Sequence, residues 1–149
     1  KTKASALILS GGEDFGLNKD RDFLEEFILK KFIKEKKPIL GICRGLQAIC
    51  KYFGSKIIRS DTKLRKKYKI KIVESNHIHT LQAKCFFNNT INKIPPDFNL
   101  IAYNELSKKT PWIISKKNGL CEGWMIHPER EKKFNLYLLK RAKKLFFFK

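Results

Sequence analysis

The sequence predicts an α/β domain, a parallel or mixed sheet flanked by helices, and three observations carry that prediction. Two unbroken apolar runs, Ala6 to Leu9 and Ile39 to Ile42, each end in a glycine-bearing turn and lead into helical periodicity. Strand, helix, strand, helix with short connections is the order in which helices wrap a parallel sheet. Beyond residue 55 the texture changes to further strand-like segments joined by turns, the last pair reading as a hairpin. At 149 residues the chain is one domain with room for a real core.

Taken in order, Ala6 to Leu9 is a buried strand, stopped by Ser10-Gly11-Gly12-Glu13-Asp14. From Asp20 the pattern is helical: Asp20 is the expected cap, Phe23, Phe27, Ile28 and Phe32 the expected buried face, and lysines crowd the end. Pro38 closes that helix and opens the strand Ile39 to Ile42. The next helix runs from about Arg44 to Phe53, with Leu46, Ile49, Cys50 and Phe53 on one face and Gly54 as its stop. Tyr68 to Val73 alternates as a half-exposed strand does, and Phe98 to Tyr103, Trp112 to Ser115 and Leu120 to Ile126 read as further strands. Lys116-Lys117-Asn118-Gly119 should close a hairpin in which Asn-Gly supplies positive φ angles. A final helix from Glu131 carries Phe134, Leu138, Leu139, Ala142 and Leu145, and its apolar tail Phe146-Phe147-Phe148 is expected to dock on the body.

Composition narrows the function. No apolar run reaches the roughly eighteen residues of a membrane span, and no signal-peptide pattern precedes the first strand. The chain starts at Lys1 without methionine and is read as a trimmed piece or fragment. Cys43, Cys50, Cys85 and Cys121 are scattered, without a Cys-x-x-Cys pair, and are expected to be free thiols of a cytoplasmic protein. The net charge of +19 invites a nucleic-acid reading, but lysine far outnumbers arginine, and base readers lean on arginine. The densest basic segment, Lys63-Leu64-Arg65-Lys66-Lys67-Tyr68-Lys69, sits where a loop feeds a strand. No nucleic-acid or membrane partner is expected, and a cationic rim that attracts a small anionic substrate fits better. His77 and His79 share a spacing that suits a metal, yet no third ligand lies nearby, so a surface loop and no metal are expected.

The chemistry lies in two motifs. Ile39-Leu40-Gly41-Ile42-Cys43-Arg44-Gly45 is a strand, a Gly-x-Cys-x-Gly turn and a helix start, the cysteine form of a nucleophile elbow. Its glycines are needed because a side chain there would strike the strand or the helix, and the helix start should favour thiolate over thiol. In His127-Pro128-Glu129 the proline fixes the backbone between an imidazole and a carboxylate that can hold its far nitrogen. Gly11-Gly12, directly after the first strand, can aim a backbone N–H into the same cleft, and the Arg44 N–H would be a second oxyanion donor.

These segments, with Arg21-Asp22…Glu25, resemble the class I glutamine amidotransferase superfamily and, within it, the peptidase C26 branch of γ-glutamyl-γ-aminobutyrate hydrolases. The last motif is most similar in form to that of the γ-glutamyl-CDP-amidate hydrolases of capsular phosphoramidate synthesis. The resemblance covers nearly the whole of residues 1–149 as one such domain and implies a flavodoxin-like fold lacking its amino-terminal strand–helix units. It also implies Cys43 as nucleophile, His127 as general base and acid, Glu129 as its orienting group, Gly12 and Arg44 as oxyanion amides, and Gln47 as a contact to the glutamyl group. No cofactor is implied. The implied activity is hydrolysis of a γ-glutamyl amide through a γ-glutamyl thioester. The alternatives are a glutaminase subunit feeding ammonia to a synthase partner, and a catalytically silent homologue. One departure stands out: the family's loop histidine is missing from Lys84-Cys85-Phe86-Phe87-Asn88-Asn89.

Overall fold

In the computed structural model, which describes residues 3–74, 77–130 and 132–147, the first apolar run forms β1 (Leu7–Leu9) and the second forms β2 (Ile39–Ile42). Between them runs α1 (Lys19–Lys34), and after β2 comes α2 (Arg44–Tyr52). The rest of the chain gives β3 (Ile57–Arg59), β4 (Lys67–Glu74), β5 (His77–Lys84), β6 (Asn89–Ile91), β7 (Phe98–Asn104), β8 (Ser107–Lys116) and β9 (Cys121–Trp124). A 3₁₀ turn over Pro128–Arg130 and α3 (Lys132–Phe147) complete it.

Seven of these strands form one sheet in the order β1-β2-β9-β8-β7-β4-β5, and β3 and β6 make a separate two-stranded ribbon. β1, β2 and β9 are parallel to one another, and every pairing from β9 outward is antiparallel. The mixed sheet therefore has a parallel half, where the two early strand–helix units lie, and an antiparallel half built from hairpins. The last strand to be made, the four-residue β9, is inserted next to β2, far from it in sequence.

Side-chain alternation on β9 separates the two faces. Gly123 sits under Leu46 of α2, while Glu122, one residue away, pairs with Arg141 of α3 at 2.5 and 3.0 Å and accepts from Trp124 Nε1 at 2.9 Å. Thus α1 and α2 cover one face and α3 the other. The core runs through both layers: Leu46, Ile49 and Cys50 on α2, Ile39 and Leu40 on β2, Ile113 and Ile114 on β8, and Leu138 and Leu145 on α3 are all buried.

The elbow glycines have the steric reason expected of them. A Cβ on Gly41 would lie 2.4 Å from the Gly45 carbonyl, and one on Gly45 would lie 2.2 Å from the carbonyl oxygen of Leu9. Helix α2 therefore rests directly on the backbone of the two strands that carry the turn.

Several expectations need correction. Helix α1 is capped by Asn18, whose side chain accepts from the Arg21 N–H at 3.0 Å, and not by Asp20. Its buried face is Glu25, Leu29 and Phe32, while Phe23 and Phe27 are exposed. His77 and His79 lie on strand β5 rather than in a loop; both are exposed and their rings stand 6.3 Å apart. In the β8–β9 turn only Gly119 takes a positive φ, of 72°, and Asn118 contributes its side chain, accepting from the Leu120 N–H at 3.1 Å. The last strand stops at Trp124 instead of Ile126. In α3, Leu138 and Leu145 are buried but Leu139 and Phe147 are exposed, so among the described residues the tail docks through Leu145 and Phe146. Glu131, the side chain of Phe134 and all of Phe148 lie outside the described residues.

Replacing Gly45 by alanine should lower stability by about 1–3 kcal/mol, since the methyl overpacks a contact with no room to give. A urea melt checks this: an unchanged midpoint would show that α2 does not bear on β1 as tightly as the coordinates place it.

Candidate active site

The parallel half of the sheet decides which residues meet. Leu9 pairs with Gly41 and Ile42 with Trp124, so β1, β2 and β9 end at one level. The residues that follow those three ends are Gly11, Cys43 and His127. Ligand sites of open α/β sheets lie at this carboxyl edge.

Cys43 is held at φ 53° and ψ −103°, a conformation that costs a non-glycine residue on the order of 1–3 kcal/mol and is tolerated only where the surroundings impose it. The Cys43 N–H donates to the Trp124 carbonyl at 2.6 Å, which extends the β2–β9 ladder into the turn. The turn is strained, and the thiol points out of the sheet at the start of α2.

His127 follows β9 by two buried residues, Met125 and Ile126. Its Nδ1 and Glu129 Oε1 are 2.7 Å apart, so the ionised carboxylate accepts from Nδ1–H and leaves Nε2 as the acceptor. The position a Gly11 Cβ would occupy lies 2.9 Å from His127 Cε1, 3.6 Å from Nε2 and 3.7 Å from Cys43 Cβ. Gly11 is thus the floor between thiol and imidazole, and any side chain there would part them.

The electrostatics correct one expectation. Burial pushes the Cys43 thiol from its ordinary 9.0 up to about 11, although the Arg44 backbone N–H bonded to it pulls the other way. A nine-residue helix does not offset the loss of water around a sulfur that is only 6% exposed. Burial also pushes up the thiols of Cys50 and Cys121, and more strongly. Glu129 behaves differently. Burial works upward on it, but its own backbone N–H, the His127 ring and Arg130 outweigh that and hold the carboxyl below its usual range.

Beneath the elbow lies a cluster that sequence patterning did not assemble. The Arg44 guanidinium is buried and pairs with both Asp22 and Glu25 of α1, with the Phe15 ring 4.1 Å from its central carbon. Asp22 also accepts from the Gly16 N–H at 2.8 Å. Arg21 bonds Glu25 through Nε at 2.8 Å and the Gly11 carbonyl at 3.1 Å. A groove of about 230 Å³ between α1 and α2 carries Asp22 and Glu25 on its wall, but both are committed to Arg44. The readable signal was Arg-Asp-x-x-Glu, five residues on little more than one helix turn; its partner, Arg44, could be named only from the fold.

Of the remaining expected site residues, Gln47 is buried and donates through Nε2 to the Asn89 carbonyl at 2.8 Å. It ties α2 to the first residue of β6, where the loop from β5 ends. In that loop Phe87 packs inward on Trp112, ring centroids 5.3 Å apart, while Phe86 turns outward. The Phe86 ring meets the His127 ring edge to face at 5.7 Å, and Arg130 and Lys84 stand over it at 4.6 and 6.0 Å. In the loop where the resemblance implies a histidine, an aromatic flanked by two cations stands beside His127. Gly12 is exposed, its Cα packed against the Arg21 guanidinium. Among the described residues no cluster of three or more His, Cys, Asp or Glu could hold a metal ion, and no helix is long and apolar enough to cross a membrane.

Known proteins resemble this chain over most of its length. The family model described as glutamine amidotransferase class-I matches residues 1–140. A GMP synthase [glutamine-hydrolyzing] of Thermosipho melanesiensis is 34% identical over 130 residues, which is 84% of this chain and 24% of that protein. A gamma-glutamyl-CDP-amidate hydrolase of Campylobacter jejuni is 32% identical over 136 residues, 87% of this chain and 64% of that protein. The chain therefore spans less than two thirds of the length of either relative. In fold it is similar to the crystal structure of a glutamine amidotransferase from Thermotoga maritima, with a TM-score of 0.70 at 20% identity, covering 97% of this chain and 69% of that one.

Limiting iodoacetamide should label Cys43 ahead of Cys50 and Cys121, because it is the most exposed of the three and its thiol is pushed up least. Since alkylation follows the thiolate, its rate should climb steadily from pH 7 past pH 9 toward a midpoint of about 11. A plateau at neutral pH, read by peptide mapping over a pH series, would mean that an ion pair with His127 already exists in the free protein.

Proposed function

The chain belongs to the class I glutamine amidotransferase family, and on that premise we propose that it hydrolyses a γ-glutamyl amide with Cys43 as nucleophile, His127 as general base and acid, and Glu129 as the orienting carboxylate. One observation carries this reading: the strained Cys43 turn and the His127–Glu129 pair, 2.7 Å between their atoms, rise from adjacent parallel strands with Gly11 as the shared floor.

The mechanism follows from the groups present. With the thiol pushed up to about 11, the free protein holds a neutral Cys43, and the Cys43 proton passes to His127 Nε2 as sulfur attacks the γ-carbonyl carbon. The carbonyl electron pair moves onto oxygen, which the backbone N–H groups of Gly12 and Arg44 stabilise. The tetrahedral adduct collapses, the C–N bond breaks, and the leaving nitrogen takes the proton from His127. Water, deprotonated by His127, then attacks the γ-glutamyl thioester, and glutamate leaves with the proton returned to sulfur. Glu129 stays ionised throughout because its carboxyl is held below the usual range, so it stabilises the imidazolium that forms transiently.

For the leaving group, an anionic portion fits best. Arg130 and Lys84 flank Phe86 next to His127, on a chain of net charge +19. A phosphoramidate nitrogen is also a better leaving atom than ammonia, because the phosphoryl group withdraws electron density. The likeness to a gamma-glutamyl-CDP-amidate hydrolase supports this choice, and the proposal extends, on the motif resemblance alone, to the peptidase C26 branch, a role in capsule synthesis and a cytoplasmic setting. The second reading is a glutaminase that hands ammonia to a synthase partner, and the identity to GMP synthase favours it.

Substrate comparison separates them. The kcat/KM for γ-glutamyl-CDP-amidate should exceed those for γ-glutamyl-γ-aminobutyrate and glutamine, and added salt should erode the difference, since exposed charges are screened over about 8–10 Å at 0.1–0.15 M. Equal rates, or a preference for glutamine, would favour the ammonia-donating reading.

Cys43→Ala should abolish turnover of all three with the fold intact, and Glu129→Gln should reduce it less, because an amide oxygen can still accept from the imidazole. Residual wild-type activity in Cys43→Ala would end the covalent mechanism, and hydrolysis undetectable in the wild type would favour a silent homologue.

A further inference from the structure

The Gly11 carbonyl accepts from two side chains, the neighbouring Ser10 hydroxyl at 3.3 Å and an arginine of α1. Arg21 donates to the Gly11 carbonyl at 3.1 Å, and its Nε is anchored by Glu25 at 2.8 Å. Its guanidinium lies flat on Gly12, where a Cβ would come within 2.2 Å of Nη1. Glu25 in turn is shared with the buried Arg44, so the anchor cannot drift without disturbing the elbow.

A trans peptide is planar and sets its C=O and N–H in opposite directions, and no cis peptide occurs among the described residues. With the Gly11 carbonyl drawn to α1, the Gly12 N–H faces away from α1. The Gly11 Cα at the other end of that peptide faces Cys43 and His127. Two glycines in succession have no side chains to fix the orientation of the peptide between them, so an external hold is needed.

We propose that Arg21 is the positioning residue of the oxyanion site: by holding the Gly11 carbonyl on the α1 side, it turns the Gly12 N–H toward Cys43, where it converges with the Arg44 N–H. This rests on the amide-hydrolysis reading above. Arg21 itself touches neither substrate nor reacting atom.

The test uses Arg21→Met, which keeps the length and loses the donors, and Arg21→Lys, which keeps one. Arg21→Met should lower kcat by about 10²–10³-fold, the cost of one oxyanion donor, with KM little changed. Alkylation of Cys43 by iodoacetamide should proceed at the wild-type rate, because that displacement develops no oxyanion. Arg21→Lys should recover part of kcat. Crystal structures of both variants should show the Gly11–Gly12 peptide reversed or in two orientations in Arg21→Met and held in Arg21→Lys. Wild-type kcat in Arg21→Met, an alkylation rate that falls in step with kcat, or an unmoved peptide would overturn the role. If Arg21→Met does not fold, Arg21→Lys is compared with wild type in the same way, and kcat at the wild-type level with a displaced peptide counts against it. If the wild type hydrolyses no γ-glutamyl amide, it is the hydrolase reading that fails, and the peptide orientation still decides what Arg21 does.

Discussion

The buried ion cluster on Arg44 is the constraint on which the rest depends. Arg44 directly follows the strained Cys43, and its guanidinium is 2% exposed between Asp22 and Glu25. A charge in such a place is costly unless fully paired, and loss of one partner from a buried pair costs roughly 3–5 kcal/mol. The cluster therefore admits one arrangement of α1 against the start of α2. That arrangement fixes three things together: the φ of 53° at Cys43, the packing of Gly45 on Leu9, and the reach of Arg21 to the Gly11 carbonyl. A hydrophobic contact between the two helices would be at least as favourable but would leave their register free to slide.

A second tension runs between burial and reactivity. The same packing that holds the elbow strips water from the thiol and keeps it protonated, while Glu129, with a 57% exposed side chain, stays ionised close by. The protonated thiol thus sits near an imidazole whose Nδ1 faces the ionised carboxylate. Phe86 covers one edge of the imidazole, and Gln47 holds the end of the loop that carries it. The loop is anchored further by Phe87 against Trp112 and by Cys85, whose thiol donates to the Phe87 carbonyl at 3.2 Å. Alternate residues of one loop thus serve the core and the cleft.

The parts of this fold legible in the sequence were those whose signal is local and repeated. An apolar run into Gly-x-Cys-x-Gly can hardly be anything but strand, turn and helix, and His-Pro-Glu carries its own geometry. What could not be read was decided by partners distant in sequence. On α1 the spacing of Phe23, Phe27 and Phe32 looks amphipathic, yet the inward face contains Glu25, because Arg44 waits there. A buried carboxylate is invisible to any count of apolar residues. Strand β5 is exposed along most of its length, so it shows no period-two apolar pattern; it is a strand because β4 pairs with it from Lys67–Lys84 to Glu74–His77. The ribbon of β3 and β6 escaped for a similar reason, being two three-residue pieces that only each other define. The helix start expected to favour the Cys43 thiolate was outweighed by desolvation, a quantity that exists only once the core is closed.

The placement of β9 between β2 and β8 has a consequence for the order of events as the chain is made. The elbow can form early, from β1, α1, β2 and α2, all of which are contiguous. His127 arrives behind a strand that cannot take its place until the hairpins of the antiparallel half have been synthesised, and that long loop must be closed before pairing with β2 repays it. Until then the edge of β2 is open, the Cys43 N–H lacks the Trp124 carbonyl, and Cys43 has the Gly11 floor beside it but not the imidazole. An unfinished chain thus carries the Cys43 turn without its neighbouring imidazole, and the two meet only when β9 has emerged and paired.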